Sequence, residues 1–297
     1  MKFWTAMAFT PPEHYVPLAK ALDEAGMHGV MLSDHIFYPR ALASRYPYSP
    51  YPDGRPIWEP ETAWPDVWVM IGAMAAVTTR LRLSTNIYIA PARDIFTVAK
   101  LVGTASVISG GRVDLGLAAG WMKEEFDQLG QSYANRGKRL NEMMDALRVL
   151  WGGGWVEHHG EFYDFGPLQI EPAPVVKPQI WSGGHSDAAL RRAARHADGW
   201  IGNAYTEEDA ALHIDKLQAL RVAEGRADLP FEIVIGLYAM PSKDLYKKWE
   251  AKGVTGFMTV PWYTDERSND AGVADAQGAE LTRKVDAVFR FAEQWLG

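Results

Sequence analysis

The 297-residue chain contains no cysteine. This excludes a disulfide framework, a thiolate metal site and a cysteine nucleophile. It also lacks any apolar run approaching the ~20 residues of a transmembrane helix. The opening MKFWTAMAFT PPEH is too short in apolar residues for a signal sequence and is broken by Pro11 and Pro12, so a soluble, cytoplasmic protein with no membrane partner is expected. Positive charge is in deficit. Thirty Lys and Arg against 37 Asp and Glu leave a formal net charge of −7, with no Lys/Arg-rich run. Such a chain repels phosphate backbones, which argues against nucleic acid as a partner. No P-loop, H-E-x-x-H or G-x-S-x-G is present, which removes the commonest phosphoryl-transfer, zinc-protease and serine-hydrolase readings.

What is present is an alternation of short β-like runs with amphipathic helical runs, the pattern of parallel βα units. Strands are expected at 3–9, 29–33, 81–89, 113–118, 179–182, 199–203, 231–239 and 256–261. Helices are expected at 15–26, 66–79, 95–108, 140–151, 187–196, 207–223, 243–252 and 279–296. Eight such units close a (β/α)8 TIM barrel. The rival, an open doubly wound sheet, would carry G-x-G-x-x-G after its first strand, and none is there. No linker divides the chain, so one α/β domain is expected over 1–297. It carries two insertions: a long loop at 35–64 and a β-hairpin with a proline-rich connector at about 153–178.

Helix-to-strand turns are tight, whereas the loops after strands two and four are long. In this barrel the strand-to-helix loops build the active face. Asp34-His35 stands directly after strand two, where the pair either handles a proton near neutral pH or caps a helix beside a structural histidine. Gly116-Leu-Ala118-Ala119-Gly120-Trp121 ends strand four, and its small residues admit either a planar ring or a tightly packed helix. Ser182-Gly183-Gly184-His185-Ser186 ends strand five and opens a helix, the form of an anion site and also of many ordinary α/β turns. Loop two carries Phe37, Tyr38, Tyr46, Tyr48, Tyr51, Trp58 and Trp64, suited to an apolar pocket or to a loop packed on itself. With Trp262 from the last strand end, Phe37, Tyr38, Trp58 and Trp64 are the candidate substrate pocket. Glu157-His158-His159 with Glu161 has the composition of a metal cluster, but strand neighbours point to opposite faces, so no metal site is expected there.

In this order the motifs resemble the bacterial luciferase-like family of flavin monooxygenases and deazaflavin reductases. The resemblance rests on Ser33-Asp34-His35, Leu83-Ser-Thr-Asn86-Ile87, Ser109-Gly-Gly-Arg112-Val-Asp-Leu-Gly116, Gly120-Trp121-Met-Lys-Glu-Glu125-Phe126, Ile180-Trp-Ser-Gly-Gly184 and Ala197-Asp-Gly-Trp200, and covers the chain to about residue 205. It implies a proton-handling or ring-contacting role for His35, with Asp34 beside it. It implies a non-prolyl cis peptide at Asn86-Ile87 behind the flavin ring. It further implies that Ser182, Gly183, Gly184 and Ser186 hold the cofactor phosphate, and that Ala118, Ala119, Gly120 and Trp121 line the cofactor groove.

Trp64-Pro-Asp-Val-Trp68 and the Gly120–Glu125 run are most similar to the subgroup using coenzyme F420, whose acidic tail gives Arg93 and Lys123 a purpose. Trp121 and Pro39 replace residues typical of the family's sugar-phosphate dehydrogenases, which argues against that substrate class. The resemblance thus implies hydride transfer between F420 and a small organic substrate. The alternative is an FMN-dependent monooxygenase using oxygen, and more distantly a cofactor-binding protein without catalysis. It also implies a homodimer.

Overall fold

Eight short parallel strands wind into a barrel in the computed structural model, which describes residues 1–264 and 280–296. In chain order the first elements are β1 (Lys2–Ala6), α1 (Tyr15–Glu24), β2 (Gly29–Leu32), α2 (Val67–Val77), β3 (Arg82–Thr85) and α3 (Ile95–Ile108). They continue as β4 (Leu115–Leu117), α4 (Lys123–Gln128), α5 (Arg136–Leu150) and the antiparallel pair β5 (Val156–His159) and β6 (Asp164–Leu168). Next come β7 (Ile180–Gly183), α6 (Asp187–His196), β8 (Gly199–Tyr205), α7 (Glu207–Ala223), β9 (Glu232–Leu237) and α8 (Lys243–Ala251). β10 (Gly256–Thr259), the short α9 (Pro261–Thr264) and α10 (Leu281–Trp295) follow.

The strand order is β3-β2-β1-β10-β9-β8-β7-β4. The seam between β3 and β4 is bridged where Leu83 N donates to Arg112 O at 2.9 Å and Asp114 N donates to Leu83 O at 2.9 Å. The eight-unit TIM barrel expected from the alternation is therefore what forms. Gly116 makes the seam possible, because a Cβ there would stand 1.9 Å from the Thr85 carbonyl oxygen.

Two apolar layers hold the barrel. Trp4, Met31, Trp181, Ile201 and Val234 fill its interior, with the Trp4 and Trp181 rings edge-to-face at 5.2 Å. The larger layer lies between strands and helices and runs from Phe3 to Phe291. Helix α1 shows how the sequence sets this up. Its Tyr15, Leu18, Ala19 and Leu22 recur at helical spacing and all four are buried. Helix α2 starts one residue later than expected, because Asp66 is its cap and accepts from Trp68 N and Val69 N; Pro65 precedes the cap.

Two expectations change and one holds. The third strand stops at Thr85, and the apolar run beyond it crosses towards β4, with Tyr88 N donating to Gly116 O at 2.8 Å. Those residues are apolar because they are buried under the active face, not because they extend the sheet. Helix α4 was hidden inside what reads as loop 119–139, since its KEEFDQ sequence shows only a fragment of a helical period. The expected hairpin forms, and its histidines do diverge. His158 Nε2 lies 3.6 Å from Glu142, while His159 Nδ1 is 2.6 Å from Asp164. No helix among the described residues is long and apolar enough to cross a membrane.

Asp23 joins the end of α1 to the α2–β3 turn. Its carboxylate accepts from Thr79 N, Arg80 N and Leu81 N at 2.9, 2.8 and 2.6 Å and from the Thr79 hydroxyl at 3.1 Å. Burial pulls this carboxyl upward, but the three backbone donors outweigh it and its pKa lies below the ordinary value. Asp23→Ala strands these donors and is expected to cost about 3 kcal/mol at pH 7. Because the folded-state pKa is depressed, this stabilisation is present above the unfolded value of about 3.9 and fades as pH falls below it. Urea unfolding of both proteins at pH 7 and pH 3 should show the gap narrow in acid; a gap independent of pH would contradict the assignment.

Candidate active site

The carboxyl ends of β1, β2, β3, β4, β7, β8 and β9 open into one cavity of about 1050 Å³. That is at or above the usual size of a ligand pocket. The end of β2 delivers Ser33, Asp34 and His35 to it. The His35 side chain is only 9% exposed, and its ring is surrounded by tryptophans. Trp58, Trp64 and Trp121 lie 5.0, 5.1 and 5.9 Å away between ring centroids. Tyr46 packs on Trp58 and Trp121, and Phe9 packs on Trp64. The aromatic loop two therefore does both things its sequence allowed: it packs on itself, and in doing so it roofs the cavity. Trp64 Nε1 is buried there with no hydrogen-bond partner among the described residues.

The pairing of Asp34 and His35 is not as the sequence suggested. Asp34 turns away and forms a bidentate ion pair with Arg93, Nη1 to Oδ2 and Nη2 to Oδ1 at 2.8 Å each, and accepts from Ile89 N at 3.0 Å. His35 instead faces α4, where its Nδ1 lies 3.2 Å from Glu125 Oε1. The same oxygen accepts the Ile36 N–H at 2.9 Å. Glu125 was part of a recognised motif but was not singled out, because nothing in its spacing reveals that α4 folds back onto the strand-two loop. Its neighbour Glu124 makes a second tie, accepting from Ala43 N at 2.8 Å and Ser44 N at 3.1 Å.

Of the expected cofactor residues, Asn86, Ile87, Ala118, Ala119, Gly120, Trp121, Gly183, Gly184 and Ser186 all line the cavity, and the Asn86-Ile87 peptide is cis. Trp58 and Trp64 line it as well; Phe37, Tyr38 and Trp262 do not. Trp262 is buried behind the site near Lys284. Ser182 is fully buried within β7, one residue short of the cavity. Two cation assignments need correction. Arg93 is committed to Asp34 and stacks on Tyr88 at 4.3 Å. Lys123 pairs with Asp127 on the surface of α4. Neither lines the cavity.

Besides Arg45 of loop two, the cations that do line it come from α5 and α6: Arg136, Lys138, Arg191, Arg192 and Arg195. They were overlooked because they are spread over two helices more than fifty residues apart. Arg136 Nε donates to Gly120 O at 2.9 Å and its guanidinium lies 3.6 Å over the Tyr133 ring. Arg192 is buried and donates to Asn141 Oδ1 at 2.7 Å. Burial, and then the nearby charge of Arg136, push its pKa down to about 10. The β7–α6 turn completes this end of the cavity. Gly184 adopts φ +97, and a Cβ on Gly183 would stand 2.6 Å from Ile87 Cγ2, so the turn brings backbone N–H groups and the α6 N-terminus to the cavity wall. Ser186 caps that helix, accepting from Ala189 N at 3.3 Å. One end of the cavity is thus apolar and aromatic, while the other is a cationic channel with Glu224 on its wall.

Comparison with known proteins agrees with this geometry. Residues 5–285 match the family model described as luciferase-like monooxygenase. An uncharacterized protein of Mycobacterium tuberculosis is 39% identical over 261 residues, covering 86% of this chain and 87% of its own length. The pyrimidine monooxygenase RutA of Escherichia coli is 32% identical over 139 residues, covering 44% of this chain and 37% of that protein. Two solved structures share the fold. One is monooxygenase RslO1 from Streptomyces bottropensis, with TM-score 0.64, 22% identity, and coverage of 100% of this chain and 88% of that one. The other is an F420-dependent secondary alcohol dehydrogenase in complex with an F420-acetone adduct, with TM-score 0.65, 16% identity, and coverage of 98% and 91%.

Asp34 and Arg93 should behave as a unit. Arg93→Met leaves a carboxylate buried without its partner and is expected to cost about 3–5 kcal/mol. The double variant Asp34→Asn, Arg93→Met should recover most of that loss, as read by chemical denaturation of the full cycle. Additive single effects would mean that the pair is not the fastening it is taken to be.

Proposed function

We propose that this chain, which belongs to the luciferase-like monooxygenase family, is an oxidoreductase that binds coenzyme F420 and moves hydride between the deazaflavin and a small, largely apolar substrate. The observation that carries the reading is the cationic channel of Arg136, Lys138, Arg191, Arg192 and Arg195, which continues past the glycine turn. Burying a guanidinium beside another raises the energy of the empty site, and an anionic ligand relieves it. A phosphate at the β7–α6 turn uses part of this charge. An acidic tail running along α5 and α6 uses the rest. The F420-dependent structural neighbour supports the same choice.

The residues fit the group in other respects. Small residues Ala118, Ala119 and Gly120, with Asn86-Ile87, leave flat space for a ring. When bound, F420 supplies two-electron hydride chemistry; the protein supplies orientation, exclusion of water and a proton. His35 holds or accepts that proton, at the nitrogen Nε2 left over from its contact with Glu125. Trp58, Trp64, Trp121 and Tyr46 surround the place left for substrate. The competing reading is an FMN-dependent monooxygenase. It is favoured by the phosphate turn, which serves FMN equally, and by the likeness to a pyrimidine monooxygenase over part of the chain.

Titration with F420, with its tail-less deazaflavin fragment and with FMN separates the two readings. F420 should bind most tightly. Arg191→Glu and Arg195→Glu should each weaken F420 by about five- to tenfold, ~1–1.4 kcal/mol, while leaving the tail-less fragment unchanged. Preference for FMN, with both variants silent, would replace the proposal by the monooxygenase reading. Turnover with F420 should fall by about 10²–10⁴ in His35→Ala, with F420 affinity within about threefold of wild type; intact turnover would remove His35 from the chemistry.

A further inference from the structure

Glu125 does not line the cavity and reaches the site only through His35. It is 1% exposed, sits in the first turn of α4 and meets His35 across 90 residues of sequence. We propose that Glu125 is the positioning residue of His35: it fixes the imidazole in the Nδ1–H tautomer and turns Nε2 to the cavity. The proposal rests on the reading of His35 as the proton-transfer group, but not on which flavin the protein uses.

The hydrogen-bond pattern carries the argument. Glu125 Oε1 accepts the Ile36 backbone N–H at 2.9 Å, so this oxygen is an acceptor at that point. An ionised carboxylate has no proton to give, so His35 Nδ1, 3.2 Å away, bonds to it as the donor. With the proton on Nδ1, the neutral ring carries its lone pair at Nε2. The ring has little freedom to escape this arrangement, because Trp58 lies at 37° to it and Trp64 and Trp121 abut it nearly perpendicular. A histidine whose second nitrogen is held in this way keeps both its tautomer and its orientation, as buried carboxylates do for histidines elsewhere.

The neighbouring carboxylate gives the comparison. Glu124 and Glu125 both keep a buried Oε2 with no hydrogen-bond partner among the described residues, so they differ only in what Oε1 meets. Glu125 Oε1 takes one backbone N–H and faces an imidazole. Glu124, next in sequence, shows what plain tethering involves, with Oε1 accepting two backbone N–H groups from the loop at Ala43 and Ser44. The two adjacent carboxylates thus divide the work: Glu124 holds the loop, and Glu125 holds the histidine.

The test begins with the ligand-free protein. Nitrogen-15 NMR of the histidine side chains, with His35 assigned by its loss in His35→Asn, reports which nitrogen carries the proton. Wild type should show His35 as the Nδ1–H tautomer. Glu125→Ala should lose that preference, whereas the isosteric Glu125→Gln, whose amide oxygen can still accept, should keep it. In turnover, Glu125→Ala should lose about a hundredfold in kcat, with KM and cofactor affinity within about threefold, and Glu125→Gln should recover part of the loss. Glu124→Ala, a tether lost from the same helix, should leave the tautomer unchanged. An Nε2–H tautomer in wild type would overturn the proposal, as would an unchanged tautomer in Glu125→Ala. If Glu125→Ala does not fold, a Glu125→Gln protein that keeps the wild-type tautomer supports positioning by hydrogen bonding, and one that has lost the Nδ1–H tautomer refutes it. The NMR arm needs no cofactor, so it separates this proposal from failure of the F420 reading, which would appear only in binding.

Discussion

The bidentate pair between Asp34 and Arg93 is the constraint on which the active face depends. It joins the end of β2 to the segment after β3, and Asp34 also accepts the Ile89 N–H, so two strand ends are fixed by a single carboxylate. Its consequences run in two directions. By occupying both Asp34 oxygens it leaves His35 to find another partner, and α4 provides Glu125. By engaging Arg93 it leaves the positive charge of the cavity wall to α5 and α6, with Arg45 from loop two. Both features of the site that the sequence does not display, the Glu125 contact and the displaced cationic channel, follow from this pair.

The barrel itself was legible because its signals are local. Burial at helical spacing along α1, the capping Asp66 and the tight glycine turns each report on a few neighbouring residues. So was the composition of the cavity wall, since Ala118 to Trp121 and Gly183 to Ser186 are contiguous stretches at strand ends, where this fold puts ligands. What could not be read is any contact between elements distant in the chain. His35 and Glu125 are 90 positions apart, and Arg136 and Arg192 are 56, and no periodicity links them. Adjacency in sequence was misleading where the chain turns: Asp34 and His35 are neighbours whose side chains serve different partners. Lys123 misled in a similar way. It lies close in sequence to the groove at Gly120 and Trp121, but α4 turns its side chain to Asp127 and solvent.

The abundance of tryptophan has a physical account in two parts. Trp4 and Trp181 are core filling, packed edge-to-face inside the barrel. Trp58, Trp64 and Trp121 form a continuous roof around His35. Large rings with few rotatable bonds suit a roof that must exclude water without a covalent staple, and the chain has no cysteine to supply one. A dry roof also strengthens the His35 contact with Glu125, since a hydrogen bond to a carboxylate weakens when water competes for it.

The net charge of −7 and the cationic channel are compatible because they act at different ranges. At physiological salt the field of the whole chain is screened within about 8 Å. The channel is built from groups that a bound ligand would meet at contact distance, where local sign decides. Arg136 and Arg192 sit in each other's field inside the wall, and Arg191 and Arg195 extend the same sign outward along α6. A phosphate alone would need only the glycine turn and the helix N-terminus. The continuation of positive charge beyond that turn suits a ligand whose negative charge also continues, and this is the physical basis for proposing a cofactor with an acidic tail over one that ends at its phosphate.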